Sequence, residues 1–157
     1  MEKTCYFIRH GHAMHNKLFW DIGKRAYREF RDTNLLYDGY EQCEDLRNSW
    51  KNLKNVELVC VSPCVRTLDT ALFTFKNHNV KLIAKDFLIE YPLGGDERET
   101  YENLNLRIEK MKQWIKKRPE TTITVVSHSS FIGMFKDKKI GDEKNELKHC
   151  FPYTVKI

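Results

Sequence analysis

The 157-residue sequence contains no apolar run that approaches the roughly 20 residues of a transmembrane helix. The apolar stretch near its start is too short for a secretory signal peptide, because charge returns at Arg9. Internal repeats, low-complexity tracts and linker-like segments are also absent. Since 41% of the residues are hydrophobic, the chain has enough apolar side chains for a packed core. We therefore expect one cytoplasmic domain that covers residues 1–157.

Long runs of like charge are missing as well. Lys and Arg outnumber Asp and Glu by 27 to 22, which gives a net charge of +5. This modest excess suits anionic ligands such as phosphate esters. The densest basic cluster, Lys116 to Arg118, ends a predicted helix, where cations interact favourably with the helix dipole. We therefore expect no nucleic-acid partner and no membrane partner, and the sequence leaves the oligomeric state open.

The cysteines and histidines lack the spacing of a structural zinc site. An odd number of cysteines without an export signal predicts reduced thiols at Cys5, Cys43, Cys60, Cys64 and Cys150. Three histidines lie close together near the start of the chain, at His10, His12 and His15. A predicted strand end and a glycine scatter their directions, and no matching Cys/His pair follows. We expect no metal and no cofactor.

Short segments rich in β-forming residues alternate with longer segments of helical period. The predicted strands are Thr4–Ile8, Glu57–Val61, Lys81–Ala84 and Thr121–Ser127, with a last edge strand in Phe151–Ile157. Helical spacing covers 43–53, 65–75 and 101–115, and further helices are predicted over Asn16–Phe30 and after Ser129. This alternation predicts an α/β fold, a three-layer α/β/α sandwich with a mainly parallel central sheet.

Ionisable or polar residues follow each predicted parallel strand. In strand order they are Arg9 and His10, Ser62 and Arg66, Glu90, and His128. Ligands of such folds bind outside the carboxyl ends of the strands. We therefore expect these side chains to converge on one site, because four strand ends that all deliver such groups are hard to explain by packing alone.

The end of the second strand has the features of a phosphate site. We expect Ser62 to cap the following helix and Pro63 to occupy its first position. Arg66 would then lie in the first turn, beside backbone N–H groups that bind anions. Arg9 supplies a second guanidinium, and Gly11 lets the backbone pass close to a ligand.

Two histidines and a carboxylate in an arginine-lined pocket indicate phosphoryl transfer through a histidine. A neutral imidazole nitrogen can attack phosphorus and form a phosphohistidine. The arginines and the second histidine would stabilise the charged oxygens, and Glu90 would protonate the leaving oxygen and then activate water. Apolar neighbours favour a raised pKa for this carboxyl, and the cations of the pocket oppose it.

These motifs resemble the histidine phosphatase superfamily, the phosphoglycerate mutase-like family. Arg9-His10-Gly11 followed by Asn16 is similar to the hallmark of that family. The other matches occur in family order: Asp32 to Gln42 follows the pattern Asp-x2-Leu-x3-Gly-x2-Gln, Ser62 to Ala71 resembles the second arginine segment, and Val125 to His128 resembles the closing strand.

The resemblance implies a role for each of the matched residues. His10 would be the nucleophile, Glu90 the proton donor and His128 the second catalytic histidine. The phosphate would be bound by Arg9, Asn16, Arg66, His128 and, where a glycine is common in the family, Ser129. The other candidates for the proton donor are Asp86, Asp96 and Glu97. Members of the family need no metal.

The resemblance leaves several activities open. We favour a metal-independent phosphatase acting on a small phosphate monoester over a phosphoglycerate mutase-type phosphotransferase, because the chain has little room for the insertions of the mutases. A non-catalytic member that binds a phosphorylated ligand would be expected to lack one of the central residues, and all are present. Members that act on protein phosphohistidine often lack a proton donor, so a functional Glu90 favours phosphate esters.

The segment from Asn16 to Asn34 is a candidate for a small lid. Its cations could meet an anionic substrate or form a solvated helix face; they are Lys17, Lys24, Arg25, Arg28 and Arg31. We expect His12 and His15 at the rim of the pocket, and His78 and His149 at the surface.

Overall fold

A computed structural model describes residues 1–30, 32–92, 98–140 and 146–157, with only the backbone described at 27 and 28. The strands in these ranges are β1 (Thr4–Arg9), β2 (Leu58–Val61), β3 (Lys81–Ala84), β4 (Thr122–Ser127) and β5 (Tyr153–Lys156). They form one sheet in the order β3-β2-β4-β1-β5. The strands β1 to β4 are parallel to one another, and β5 is antiparallel to β1. The predicted α/β class with a mainly parallel sheet is confirmed.

Helices cover both faces of the sheet. They are α1 (Met14–Ile22), α2 (Arg25–Glu29), α3 (Tyr37–Ser49), α4 (Val65–Thr74), α5 (Tyr101–Lys117) and α6 (Ser129–Asp137), with short 3-10 helices at Lys51–Asn55 and Asp86–Leu88. Because successive side chains of a strand point to opposite faces, Phe7 packs with α5 and α6 whereas Ile8 packs with α3 and α4. No helix in the described ranges has the length and apolar character of a membrane span.

The carboxyl ends of three parallel strands meet at one edge of the sheet. Arg9 at the end of β1 pairs with Ser127 at the end of β4. Val61 at the end of β2 pairs with Val126. The chain therefore leaves all three strands at the same edge, and the residues that follow directly are His10, Ser62 and His128.

The predicted single helix over Asn16–Phe30 is wrong. The chain forms α1 and α2 instead, and Gly23 separates them with a φ of 65° and a ψ of −147°. Residues with a side chain rarely adopt this backbone conformation, whereas glycine tolerates it because it has no Cβ. The apolar spacing continues across the break, and this is why the period alone indicated one helix.

The predicted cap of α4 is also wrong. This helix begins at Val65, so neither Ser62 caps it nor Pro63 occupies its first position. The backbone N–H of Val65 donates instead to Oδ1 of Asp32, at 2.6 Å. A carboxylate is favourable at this end of a helix. Asp32, part of the family-like pattern, therefore fixes the start of the arginine-bearing helix from another segment.

The five cysteines are free thiols. Cys64 is half-buried and the other four are buried. Burial raises the pKa of the Cys60 thiol to about 12 and that of Cys5 to about 11. Both therefore stay protonated at neutral pH and pack as small apolar side chains.

Candidate active site

His10 lies at the carboxyl end of β1 and is 2% exposed. Its Nδ1 lies 2.7 Å from the carbonyl oxygen of Gly11. A carbonyl can only accept, so Nδ1 carries the proton and Nε2 keeps its lone pair. Burial, followed by the charge of Arg66, holds the pKa of His10 well below its ordinary value. The residue is therefore a neutral imidazole, the protonation state that a nucleophile requires.

Two glycines bring the backbone around His10 close to α3. A Cβ on Gly11 would lie 2.9 Å from the carbonyl oxygen of Gly39, and a Cβ on Gly39 would lie 2.2 Å from that of His12. Real side chains do not reach such distances from backbone atoms, so both positions require glycine. The amide of His12 also donates to Oε1 of Gln42 at 2.9 Å. The Gly-x2-Gln pattern thus supports the loop that carries the nucleophile candidate.

His128 and Arg66 form a pair beside His10. Nη2 of Arg66 lies 3.2 Å from Nδ1 of His128, and the ring centroids of His10 and His128 are 5.4 Å apart. Since a guanidinium only donates, Nδ1 of His128 is the acceptor and its Nε2–H donates to Oγ of Ser62 at 2.9 Å. Burial and then Arg66 lower the pKa of His128 well below its ordinary value.

Arg9 reaches the same edge, but the contacts of its guanidinium are with the segment before β5. Nη1 donates to the carbonyl oxygen of Leu147 at 2.8 Å, and Nη2 lies 2.7 Å from Oε1 of Glu146. The charge of Arg9 nevertheless lowers the pKa values of His10 and His128. Arg9 therefore contributes positive potential to the site and connects β1 to the C-terminal segment.

Glu90 lies against the N-terminus of α6, the helix that begins directly after His128. Its carboxylate accepts from the backbone N–H groups of Tyr91 at 2.8 Å, Ser130 at 3.1 Å and Phe131 at 2.9 Å. Burial raises the pKa of this carboxyl, while the three N–H donors and the charge of Arg66 oppose the shift. Among the other candidates for the proton donor, Asp86 is exposed, and 96–97 lie outside the described residues.

Asn16 and Ser129 have structural partners in addition to any role in binding. Oδ1 of Asn16 accepts from the N–H of Ala13 at 3.1 Å. Its amide nitrogen lies 3.4 Å from Nε2 of His15. Oγ of Ser129 accepts from the N–H of Leu147 at 3.2 Å. These two polar groups therefore also position the loops around the site.

Of the three remaining nearby histidines, two differ from expectation. His12 lies at the rim and pairs with Asp38, with Nδ1 2.8 Å from Oδ2. His15 is buried instead, with its ring centroid 5.6 Å from that of His10, and burial lowers its pKa to about 2. His149 is not a free surface residue: its Nδ1 lies 2.6 Å from the carbonyl oxygen of His10. The predicted surface position is confirmed only for His78.

His149 is therefore a contributor to the site that sequence reasoning missed, and Ser62, which was expected to cap a helix, is instead a partner of His128. Burial lowers the pKa of His149 to about 4, and its ring centroid lies 5.6 Å from that of His10. No spacing in the sequence signals this contact, because 139 residues separate the two histidines. The position of Ser62 at a strand end could have indicated a partner for His128.

The cations of the lid candidate are exposed where they are described. Lys17, Lys24 and Arg25 point to solvent, and Arg25 pairs with Glu29 within α2. The side chain of residue 28 and all of residue 31 lie outside the described part. In the same described ranges, no three His, Cys, Asp or Glu side chains are arranged to hold a metal ion.

The fold and the arrangement of histidines at its strand ends define a phosphoglycerate mutase-like α/β protein. Comparison with known families identifies it further. The histidine phosphatase superfamily (branch 1) matches residues 5–122, and the chain belongs to this superfamily.

The individual relatives either have a low sequence identity to this chain or align with only part of it. A phosphoglycerate mutase-like protein of Arabidopsis thaliana is 36% identical over 78 residues, 46% of this chain and 28% of the relative. The chain spans between 27% and 32% of the length of the curated relatives it matches.

Solved structures of 16% identity share the fold. A phosphoglycerate mutase from Bacillus anthracis has a TM-score of 0.67 and 16% identity, over 99% of this chain and 88% of that one. A phosphoserine phosphatase mutant from Entamoeba histolytica, in complex with phosphoserine, has a TM-score of 0.62 and 16% identity over 98% and 95%. At such low identity these two structures support the fold and do not decide between the two activities in their names.

Proposed function

We propose that this chain is a metal-independent phosphatase that hydrolyses a small phosphate monoester through a phosphohistidine on His10. The observation that carries the proposal is the neutral His10, whose Nδ1–H is held by the Gly11 carbonyl at 2.7 Å so that Nε2 can attack. The His128 ring, 5.4 Å away between centroids, and the Arg66 guanidinium stand beside it to bind phosphate oxygens. We further propose that one domain, residues 1–157, carries the activity.

The reaction would proceed in two displacements. Nε2 of His10 forms a bond to phosphorus while the bond from phosphorus to the ester oxygen breaks, and Glu90 gives its proton to that oxygen. Water then attacks the phosphohistidine, Glu90 takes a proton from the water, and phosphate and neutral His10 are released. Arg9, Asn16, Arg66 and His128 would stabilise the charge on the non-bridging oxygens.

The raised pKa of Glu90 supports its role as the acid in the first step. The phosphate dianion would also change the site, because it would favour protonation of His128 next to it. A neutral His128 accepts from Arg66, whereas a protonated one would donate from both nitrogens. Binding of a dianionic substrate would thus turn Nδ1 of His128 from an acceptor into a hydrogen-bond donor.

A phosphotransferase of the mutase type is the second candidate, favoured by the similarity to phosphoglycerate mutase-like relatives. Incubation with 3-phosphoglycerate, with and without 2,3-bisphosphoglycerate, distinguishes the two. The phosphatase proposal expects phosphate release to exceed isomer formation. Faster isomer formation would support the mutase.

The direct test uses 4-nitrophenyl phosphate as substrate, with the full chain. We expect phosphate release without added metal, no loss in EDTA, and loss of activity in His10→Ala. His78→Ala is the matched control, because His78 is exposed. After a rapid alkaline quench, in which the phosphorus–nitrogen bond of a phosphohistidine survives, the intact chain should carry one phosphoryl group that His10→Ala lacks. Retained activity in His10→Ala, or loss in EDTA, would show that the mechanism is wrong.

A further inference from the structure

Arg107 is a buried cation on α5 that the proposed reaction does not use. It forms a two-pronged ion pair with Glu99, with Nε 2.7 Å from Oε2 and Nη2 2.8 Å from Oε1. The side chains are only 9% and 2% exposed. Burying two charges is expensive, and apolar side chains of similar volume often serve stability as well or better. A buried pair of this kind calls for a role beyond packing.

The remaining donor of Arg107 holds the segment that leads to Glu90. Its Nη1 donates to the carbonyl oxygens of Phe87 at 2.9 Å and Ile89 at 2.6 Å. The carbonyl oxygen between them, that of Leu88, accepts from Oγ of Ser127 at 2.7 Å. Side chains rather than a neighbouring strand therefore fix these three successive carbonyls before Glu90.

Arg107 also contacts the helix that receives the Glu90 carboxylate. Its guanidinium carbon lies 5.2 Å from the ring centroid of Phe131, and the N–H of Phe131 donates to Oε1 of Glu90 at 2.9 Å. The Arg107 guanidinium thus contacts both the segment that precedes Glu90 and Phe131, the residue whose N–H binds the Glu90 carboxylate. Moving Arg107 would release both at once.

We propose that Arg107, paired with Glu99, is the positioning residue for the Glu90 carboxyl. It fixes the direction in which that carboxyl delivers its proton to the leaving oxygen, and it does not touch the substrate. This inference rests on the proposed phosphatase function. Its consequence concerns the leaving group, because a poorly placed acid slows the release of an alkoxide far more than the release of a stable phenolate.

The test compares two substrates, 4-nitrophenyl phosphate and glycerol 2-phosphate, whose leaving groups need little and much protonation. We expect Glu90→Gln to lower kcat for glycerol 2-phosphate on the order of 100-fold and to change the aryl substrate far less. Arg107→Met should show the same selectivity with a loss of about 10-fold, since the acid is present but misplaced. Arg107→Lys, which keeps one donor to the carbonyls, should recover part of the rate.

A matched control and a pH profile separate positioning from stability. Arg118 also forms a two-pronged pair, with Glu120 at 2.9 and 2.7 Å, remote from Glu90 in the chain. We expect Arg118→Met to leave the ratio of the two substrates unchanged. For glycerol 2-phosphate, Arg107→Met should also weaken the fall of kcat at high pH that deprotonation of Glu90 causes. A variant that is only less stable would keep both the ratio and the profile.

The outcomes distinguish the two proposals. If His10→Ala keeps its activity, the proposed function fails whatever Arg107 does. If His10→Ala and Glu90→Gln behave as expected but Arg107→Met slows both substrates equally, the positioning role is overturned. Should Arg107→Met fail to fold, Glu99→Gln carries the test, because it keeps the guanidinium but removes its buried counter-charge and one of the two oxygens that accept from it. Equal slowing of both substrates there overturns the role as well.

Discussion

Three buried histidines and the half-buried His149 make the folded chain sensitive to acid. Burial holds the pKa of His15 at about 2 and that of His149 at about 4, and those of His10 and His128 well below the ordinary value. In the unfolded chain each histidine titrates near its ordinary value of about 6.5. Below that pH the unfolded state therefore binds more protons than the folded state, so the free energy of unfolding falls as the pH falls.

The size of the effect follows from the number of histidines. Between pH 7 and pH 5 an unfolded histidine gains most of one proton, which costs the folded state about 2 kcal/mol if its own imidazole stays neutral. Four such residues remove about 8 kcal/mol, comparable with the whole stability of about 5–15 kcal/mol of a typical domain. Glu90, whose pKa is raised, has the opposite effect on the free energy of unfolding as the pH falls, but this effect is limited to one proton.

Urea unfolding at pH 7, 6 and 5, followed by tryptophan fluorescence, measures this loss. We expect the chain to lose most of its stability by pH 5 and to regain part of it with inorganic phosphate, which binds the folded state. His149→Gln should lower the pH slope by about 1.2 kcal/mol per pH unit between pH 6 and pH 5. His78→Gln, at an exposed position, is the control. A wild-type loss below about 2 kcal/mol between pH 7 and pH 5 would show that these histidines are not held neutral.

Two further substitutions test the backbone and the hydrogen bonds of the site. Gly39→Ala places a Cβ 2.2 Å from the His12 carbonyl oxygen; because backbone must move, we expect a loss of about 3 kcal/mol and of activity, measured by thermal melting and phosphate release. Ser62→Ala removes the acceptor 2.9 Å from Nε2 of His128. We expect a loss of about 1–3 kcal/mol and weaker binding of inorganic phosphate by calorimetry; unchanged binding would show that Ser62 does not orient His128.

The fold was largely predictable because its three central strands, β1, β2 and β4, are short and buried. Such strands stand out as apolar β-branched runs. The edge strand predicted within 151–157 also appears in the structure, as the antiparallel β5. The helix boundaries were less predictable. Gly23 breaks a continuous apolar pattern through a backbone conformation that the pattern does not contain. The cap of α4 comes from Asp32, 33 residues away, and a local rule finds only caps that lie next to the helix.

Residues at strand ends were predictable for the same reason that the fold was. Once the strands are parallel, His10, Arg66 and His128 must meet at one edge. Arg107 could not be found in this way. It lies within a helix, and it binds the carbonyl oxygens of Phe87 and Ile89, which are 20 and 18 residues away in the sequence. The role of Arg107 depends on the position of the guanidinium at the end of its side chain, and the helical period does not specify that position.

The segment just before β5 shows what the order of motifs leaves out. Its Leu147 binds both Arg9, through its carbonyl, and Ser129, through its N–H, and His149 binds the backbone of His10. The segment thus contacts the first strand end and the helix after the second histidine, although it lies beyond the residues that carry the family motifs. The motifs supply the chemistry of the proposed site, whereas this segment holds two of the strand-end elements in their relative positions. An anion that approaches Arg9 must therefore compete with Glu146 for the same guanidinium, so the proposed phosphate binding would be coupled to the position of the segment before β5.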